Sequence, residues 1–174
     1  MLLLHWKDIC NVAGAITLSR LVIAIAFPFF ASQAFAAAAL LSYGAFSDVI
    51  DGVVARGTGT VSHTGGFIDG WVDKIFNINV AWSLVLFDHL PWWMALLLFS
   101  REWVQIPLVP YYVTRYLRGH VPTNNPFWAG KVASVTLVVS FFAGILALPT
   151  LLMYSSILTF AFGLWTAAVY VERE

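Results

Sequence analysis

Residues 47–74 read SDVIDGVVARGTGTVSHTGGFIDGWVDK, and they decide how the chain is built. Asp48, Asp51, Gly52, Ala55 and Arg56 fall at i, i+3, i+4, i+7 and i+8, which is one stripe of a helix. Asp69 and Asp73 fall at i and i+4, again on one face, with Gly65 and Gly66 just upstream. Between the two segments lies GTGTVSHTGG, a Gly-, Ser- and Thr-rich loop. A loop this short makes the flanking helices antiparallel neighbours, with all four carboxylates near the same end.

The surroundings make those charges conspicuous. Of 174 residues, 60% are hydrophobic and only 10% are charged, where a soluble domain carries about 25%. The hydrophobic residues run on for longer than core helices need, which predicts an all-α, polytopic integral membrane protein. With 9 basic and 9 acidic side chains, the formal net charge of zero offers no footprint for nucleic acid. A single cysteine, Cys10, excludes an intramolecular disulfide, a Cys-rich zinc site and a CxxC motif. The opening MLLLHWKDIC has no basic leader and no small-residue cleavage site. It reads as a short N-terminal interfacial helix, with His5, Trp6, Lys7 and Asp8 toward its polar side.

Punctuation divides the rest into six spans in one domain, 1–174. They run over Asn11–Phe30, from Ser32-Gln33 to Arg56, Gly66–Phe87, Trp92–Leu117, Phe127–Leu148, and from Pro149-Thr150 to Val171. The connections near 31–33, 88–91 and 148–150 hold no Lys or Arg, whereas Lys7, Arg56, Arg115, Arg118 and Arg173 lie at the opposite helix ends. The positive-inside rule then puts both termini and the loops 57–65 and 118–126 in the cytoplasm. The eight tryptophans, Trp92-Trp93 among them, read as interface anchors. Ala34–Ala39 read as close helix packing.

Arg20, Asp48, Asp51, Asp69, Asp73, Lys74, Arg101, Glu102 and Lys131 all fall inside spans. An Asp at the centre of a membrane helix costs about 2.5–3.5 kcal/mol, so such residues face polar cavities and carry function by default. Four uncompensated carboxylates would repel and force protonation. Around hard divalent cations they are ligands, and a pair of Mg²⁺ or Mn²⁺ ions suits phosphoryl chemistry. The competing reading pairs the aspartates with Arg20, Arg56, Lys74 and Arg101 as structural salt bridges. Spacing and the small residues on the same stripe favour the metal site.

Written out, Asp48-x2-Asp51-Gly52-x2-Ala55-Arg56-x8-Gly65-x3-Asp69-x3-Asp73 resembles the signature of the CDP-alcohol phosphatidyltransferases at all eight fixed positions. That resemblance implies transfer of a phosphatidyl group from CDP-diacylglycerol to an alcohol, with release of CMP. It makes Asp48, Asp51, Asp69 and Asp73 the metal ligands and Asp73 the general base as well. Asp48, Gly52, Ala55, Arg56 and Gly65 match positions that receive the nucleotide and its diphosphate. Direct attack by the alcohol suits the carboxylate faces, which offer no Ser, Cys or His nucleophile; His63 reads as a solvated loop residue. The family is commonly dimeric, which extends the expectation to a homodimer.

The acceptor rests on scattered cations. Phe67-x-Asp69-x3-Asp73-Lys74, Arg101-Glu102, Gly130-Lys131-Val132 and Thr17-x2-Arg20 are similar to the phosphatidylglycerophosphate synthase branch. This favours glycerol 3-phosphate, with Arg20, Lys74, Arg101 and Lys131 as candidates for its phosphate. Arg115 and Arg118 read as topology-setting residues. Gly14, Gly70 and Ala133 replace an Asn, a Pro and a Lys common in that branch. A cardiolipin synthase using phosphatidylglycerol is the alternative acceptor reading. A divalent-cation transporter or metal-stabilised scaffold is the alternative class, which the apolar far ends of the spans disfavour.

Overall fold

A computed structural model describes residues 12–57, 63–105 and 128–172. The interfacial segment, Cys10, the second half of the fourth span and the loop 118–126 with Arg115 and Arg118 lie outside the described residues. So do the side chains of Asp48, Asp51, Gly52, Ala55, Arg56, Gly65 and Arg101.

Every regular element among the described residues is a helix: α1 Val12–Phe30, α2 Ala34–Gly57, α3 His63–Leu86, α4 Trp92–Leu98, α5 Ser100–Gln105, α6 Trp128–Ile145 and α7 Pro149–Glu172. Helices cover the described parts of the six expected segments, with shifted ends. Helix α3 begins at His63, so this residue opens a helix rather than sitting in a loop. Where one fourth span was expected, α4 and α5 are separated by Phe99, at φ −93°. The Trp103 amide still donates to the Phe99 carbonyl (3.0 Å), so the two pieces form one bent helical path.

The chain divides into two compact units, Met1–His89 and Leu90–Glu174. In the first, α1 packs along both α2 and α3. As expected, α2 and α3 also meet directly, with Gly44 against Phe76, and among the described residues α1 is their larger common partner. The reason lies in α1's buried stripe, Thr17, Arg20, Ala24 and Phe27, continued by Ala31 just past its end, whose small members let two helices approach. Helix α3 answers with Val72, Phe76, Val80 and Leu84 at four-residue intervals. In the second unit α7 packs against α4, α5 and α6. Hydroxyls line the α6–α7 seam: Ser140 donates to Ser155 (2.8 Å) and Thr159 to Thr136 (2.9 Å).

The outward faces invert the pattern of a water-soluble protein. Val22, Ile25 and Phe29 of α1 are exposed, Phe29 by 78%, while Arg20 on the opposite stripe is 0% exposed. A contiguous apolar outside with polar groups inside suits a hydrocarbon solvent. Helices α6 and α7 hold stretches long and apolar enough to cross a membrane, Trp128–Ile145 and Pro149–Val169. In α1 and α2 the apolar stretch is shorter, Gly14–Phe30 and Ala34–Ser47. In α2 the aspartates cut it off, although all 24 residues would reach about 36 Å.

Helices α3 and α6 end the same way. His89 donates to the Leu84 carbonyl and Asp88 to Val85; Leu148 donates to Ala143 and Ala147 to Gly144. Asp88 and Ala147 have positive φ, 59° and 52°, and a proline follows within three residues each time. These are Schellman caps, which reverse the chain in very few residues. Ala147 takes the left-handed conformation that costs an L-residue about 1–2 kcal/mol. Ala147→Gly is therefore expected to raise stability by about 1 kcal/mol, read as a higher midpoint in thermal unfolding of the detergent-solubilised protein.

Candidate active site

The structure builds the site's described half around Arg20. The guanidinium is fully buried between α1, α2 and α3. Its Nε donates to Ser47 Oγ on α2 (3.3 Å), and Ser47 Oγ donates onward to the Gly44 carbonyl (2.9 Å). Its Nη1 donates to Asp69 Oδ1 (3.4 Å) and lies 3.9 Å from Asp73 Oδ1 on α3. A buried arginine needs such partners, because an unpaired buried charge costs several kcal/mol.

Asp69 and Asp73 thus stand side by side, one turn apart, as their spacing predicts. Their side chains remain 35% and 40% exposed, so neither is sealed in by the arginine. A carboxylate offers about four lone-pair positions, so a guanidinium and a second cation can share it. Residues 48 and 51 lie four residues beyond Gly44 and Ser47 in the unbroken helix α2. Among the described residues no three acidic, His or Cys side chains form a metal-binding group. Two of the four predicted ligands are outside that set.

The other candidates divide. Lys74 Nζ sits over the Trp71 ring, 5.8 Å from its centroid, a weak cation–π contact at the helix surface. Lys131 is exposed near the start of α6, in the second unit. Glu102 is half-buried in the first turn of α5. Arg20, an acceptor-phosphate candidate, lies against two of the signature aspartates, Asp69 and Asp73. Ser47 was missed. It precedes Asp48 directly, and a hydroxyl three residues after Gly44 on a helix gave no signal until α1's arginine was seen against it.

The CDP-alcohol phosphatidyltransferase family model matches residues 10–171, and the chain belongs to that family. It is a transferase of phospholipid biosynthesis. It is 30% identical over 149 residues to a probable phosphatidylglycerophosphate synthase of Mycobacterium tuberculosis, covering 81% of this chain and 68% of the relative. A putative cardiolipin synthase of Mycobacterium bovis is 27% identical over 136 residues, 76% of this chain and 63% of the relative. An archaetidylinositol phosphate synthase of Pyrococcus horikoshii is 33% identical over 66 residues, 38% and 35% of the two chains.

Proposed function

We propose that this transferase moves the phosphatidyl group of CDP-diacylglycerol to glycerol 3-phosphate and releases CMP. The observation that carries the reading is the pairing of Asp69 and Asp73 on one face of α3, beside an α2 that continues through the other signature positions. Similarity to a probable phosphatidylglycerophosphate synthase supports the acceptor. Asp48, Asp51, Asp69 and Asp73 would hold two divalent ions, Mg²⁺ or Mn²⁺, as all-oxygen donors suit hard cations. Bound there, such ions would supply positive charge for the diphosphate and for the departing CMP. Asp48, Gly52, Ala55, Arg56 and Gly65 would cradle the nucleotide.

In the reaction, the acceptor hydroxyl oxygen bonds to the lipid-side phosphorus. The bond from that phosphorus to the bridging oxygen breaks, and its electron pair leaves with CMP. Asp73 takes the hydroxyl proton, for which a carboxylate within hydrogen-bond reach suffices. Lys74, Arg101 and Lys131 are the acceptor-phosphate candidates that remain.

The same reading takes the chain six times across the inner membrane, with site and termini cytoplasmic. The inverted burial pattern and the placement of basic residues support it. A cardiolipin synthase acting on phosphatidylglycerol is the second reading, supported by Ala133, a small buried residue where glycerophosphate enzymes often carry Lys.

Purified protein supplied with CDP-diacylglycerol and Mg²⁺ or Mn²⁺ is expected to release CMP on addition of glycerol 3-phosphate. EDTA should stop the release and fresh divalent ion restore it. Release with phosphatidylglycerol alone transfers the assignment to the second reading. Silence with those two and with inositol phosphate, serine and choline removes the proposal.

A further inference from the structure

We propose that Arg20 and Ser47 are positioning residues that set the aim of the Asp69 and Asp73 carboxylates, and that Arg20 does not contact the acceptor. This rests on the reading of Asp69 and Asp73 as metal ligands. Three observations carry it. Arg20 is 0% exposed, whereas both carboxylates are open enough to meet a ligand. Its Nε is committed to Ser47, whose own hydroxyl hydrogen is committed to the backbone carbonyl of Gly44. The guanidinium plane is therefore referenced to the α2 backbone, one helix turn before position 51. From that plane Nη1 reaches an oxygen of each aspartate, at 3.4 Å for Asp69 and 3.9 Å for Asp73.

The arrangement fixes three helices through one side chain. Ser47 anchors the arginine, the arginine orients Asp69 by a hydrogen bond and Asp73 by charge, and both keep capacity for a cation. Asp69 is gripped more closely than Asp73, which suits a ligand beside a residue that must also turn toward a hydroxyl. Lysine could not replace the arginine, since one ammonium cannot serve Ser47 and both carboxylates with a planar fork's geometry.

Mn²⁺ titration followed by electron paramagnetic resonance reads this without turnover. Partners that orient metal ligands are worth about 10–100-fold in affinity. Ser47→Ala is expected to weaken Mn²⁺ binding about tenfold and to lower kcat by a similar factor, with KM for glycerol 3-phosphate within about twofold. Ser47→Thr, which keeps the hydroxyl, should restore both. Arg20→Lys, which keeps charge and bulk should Ser47→Ala fail to fold, is expected to weaken Mn²⁺ binding in the same way. Unchanged Mn²⁺ affinity in both variants overturns the proposal, and a raised KM for glycerol 3-phosphate with that affinity intact assigns Arg20 to the acceptor instead. Wild-type protein that binds Mn²⁺ but releases no CMP with any alcohol defeats the proposed function alone, because the affinities of the variants still decide the positioning role.

Discussion

Asp73→Asn is expected to lower kcat for CMP release by about 10²–10⁴-fold, the range a positioned proton acceptor contributes. The amide has nearly the shape of the carboxylate, and its oxygen can still face Arg20 Nη1, which stands 3.9 Å from Asp73 Oδ1. What it loses is the ability to take a proton from the attacking hydroxyl. The side chain is 40% exposed, so a substrate can reach it without the helices opening. Metal-dependent nucleotide binding, measured by titration with CDP, should be largely spared, because the other three aspartates and the α2 stripe remain. Full turnover in this variant would remove Asp73 as the base, and loss of nucleotide binding in step with turnover would make it chiefly a ligand.

The largest structural effect is expected at Gly44. A Cβ built there would run into the Phe76 ring, whose outer edge points straight at the glycine from α3. Phe76 is 3% exposed and lies between Val72 and Val80 on the buried stripe, so the ring has nowhere to swing. Overpacking of this kind costs about 1–3 kcal/mol. Gly44→Ala should lower the thermal midpoint accordingly, and Gly44→Leu should prevent assembly of the first unit. Combining Gly44→Ala with Phe76→Leu should recover part of the loss by removing the atoms that collide. Because Gly44 also accepts the Ser47 hydroxyl, the alanine variant should disturb the carboxylates along with stability. An unshifted midpoint for Gly44→Ala would mean that this contact does not set the α2–α3 separation.

Much of this was legible in the residues. The spacing of Asp69 and Asp73 gave their shared face on α3, because a helix repeats every 3.6 residues whatever surrounds it. The turns at 88–91 and 148–150 were readable from proline and the loss of apolar run, and both are Schellman caps. The share of α1 in that packing was not legible. Chain proximity argued that α2 and α3 pack on one another, as Gly44 and Phe76 do, but not that α1 would pack along both through small residues such as Ala24. The partners of Arg20 were hidden for a related reason. A cation in a span announces that it has a partner but not which one, and its distance from Ser47 and Asp69 along the chain leaves no local pattern. The bend at Phe99 has no proline or glycine to announce it.

Arg20 comes out of the ribosome long before the groups that hold it. Ser47 follows 27 residues later and Asp69 49 residues later. At about 5–20 residues per second, α1 waits some 2–10 s with a charge on its buried stripe that nothing yet balances. During that interval the helix is expected to linger at the translocon or headgroup boundary, where its guanidinium can reach water. It would enter the bilayer fully only once α3 has been made. Helix α1, the earliest of the described helices, is thus expected to settle last in its unit, once the α3 carboxylates reach its guanidinium.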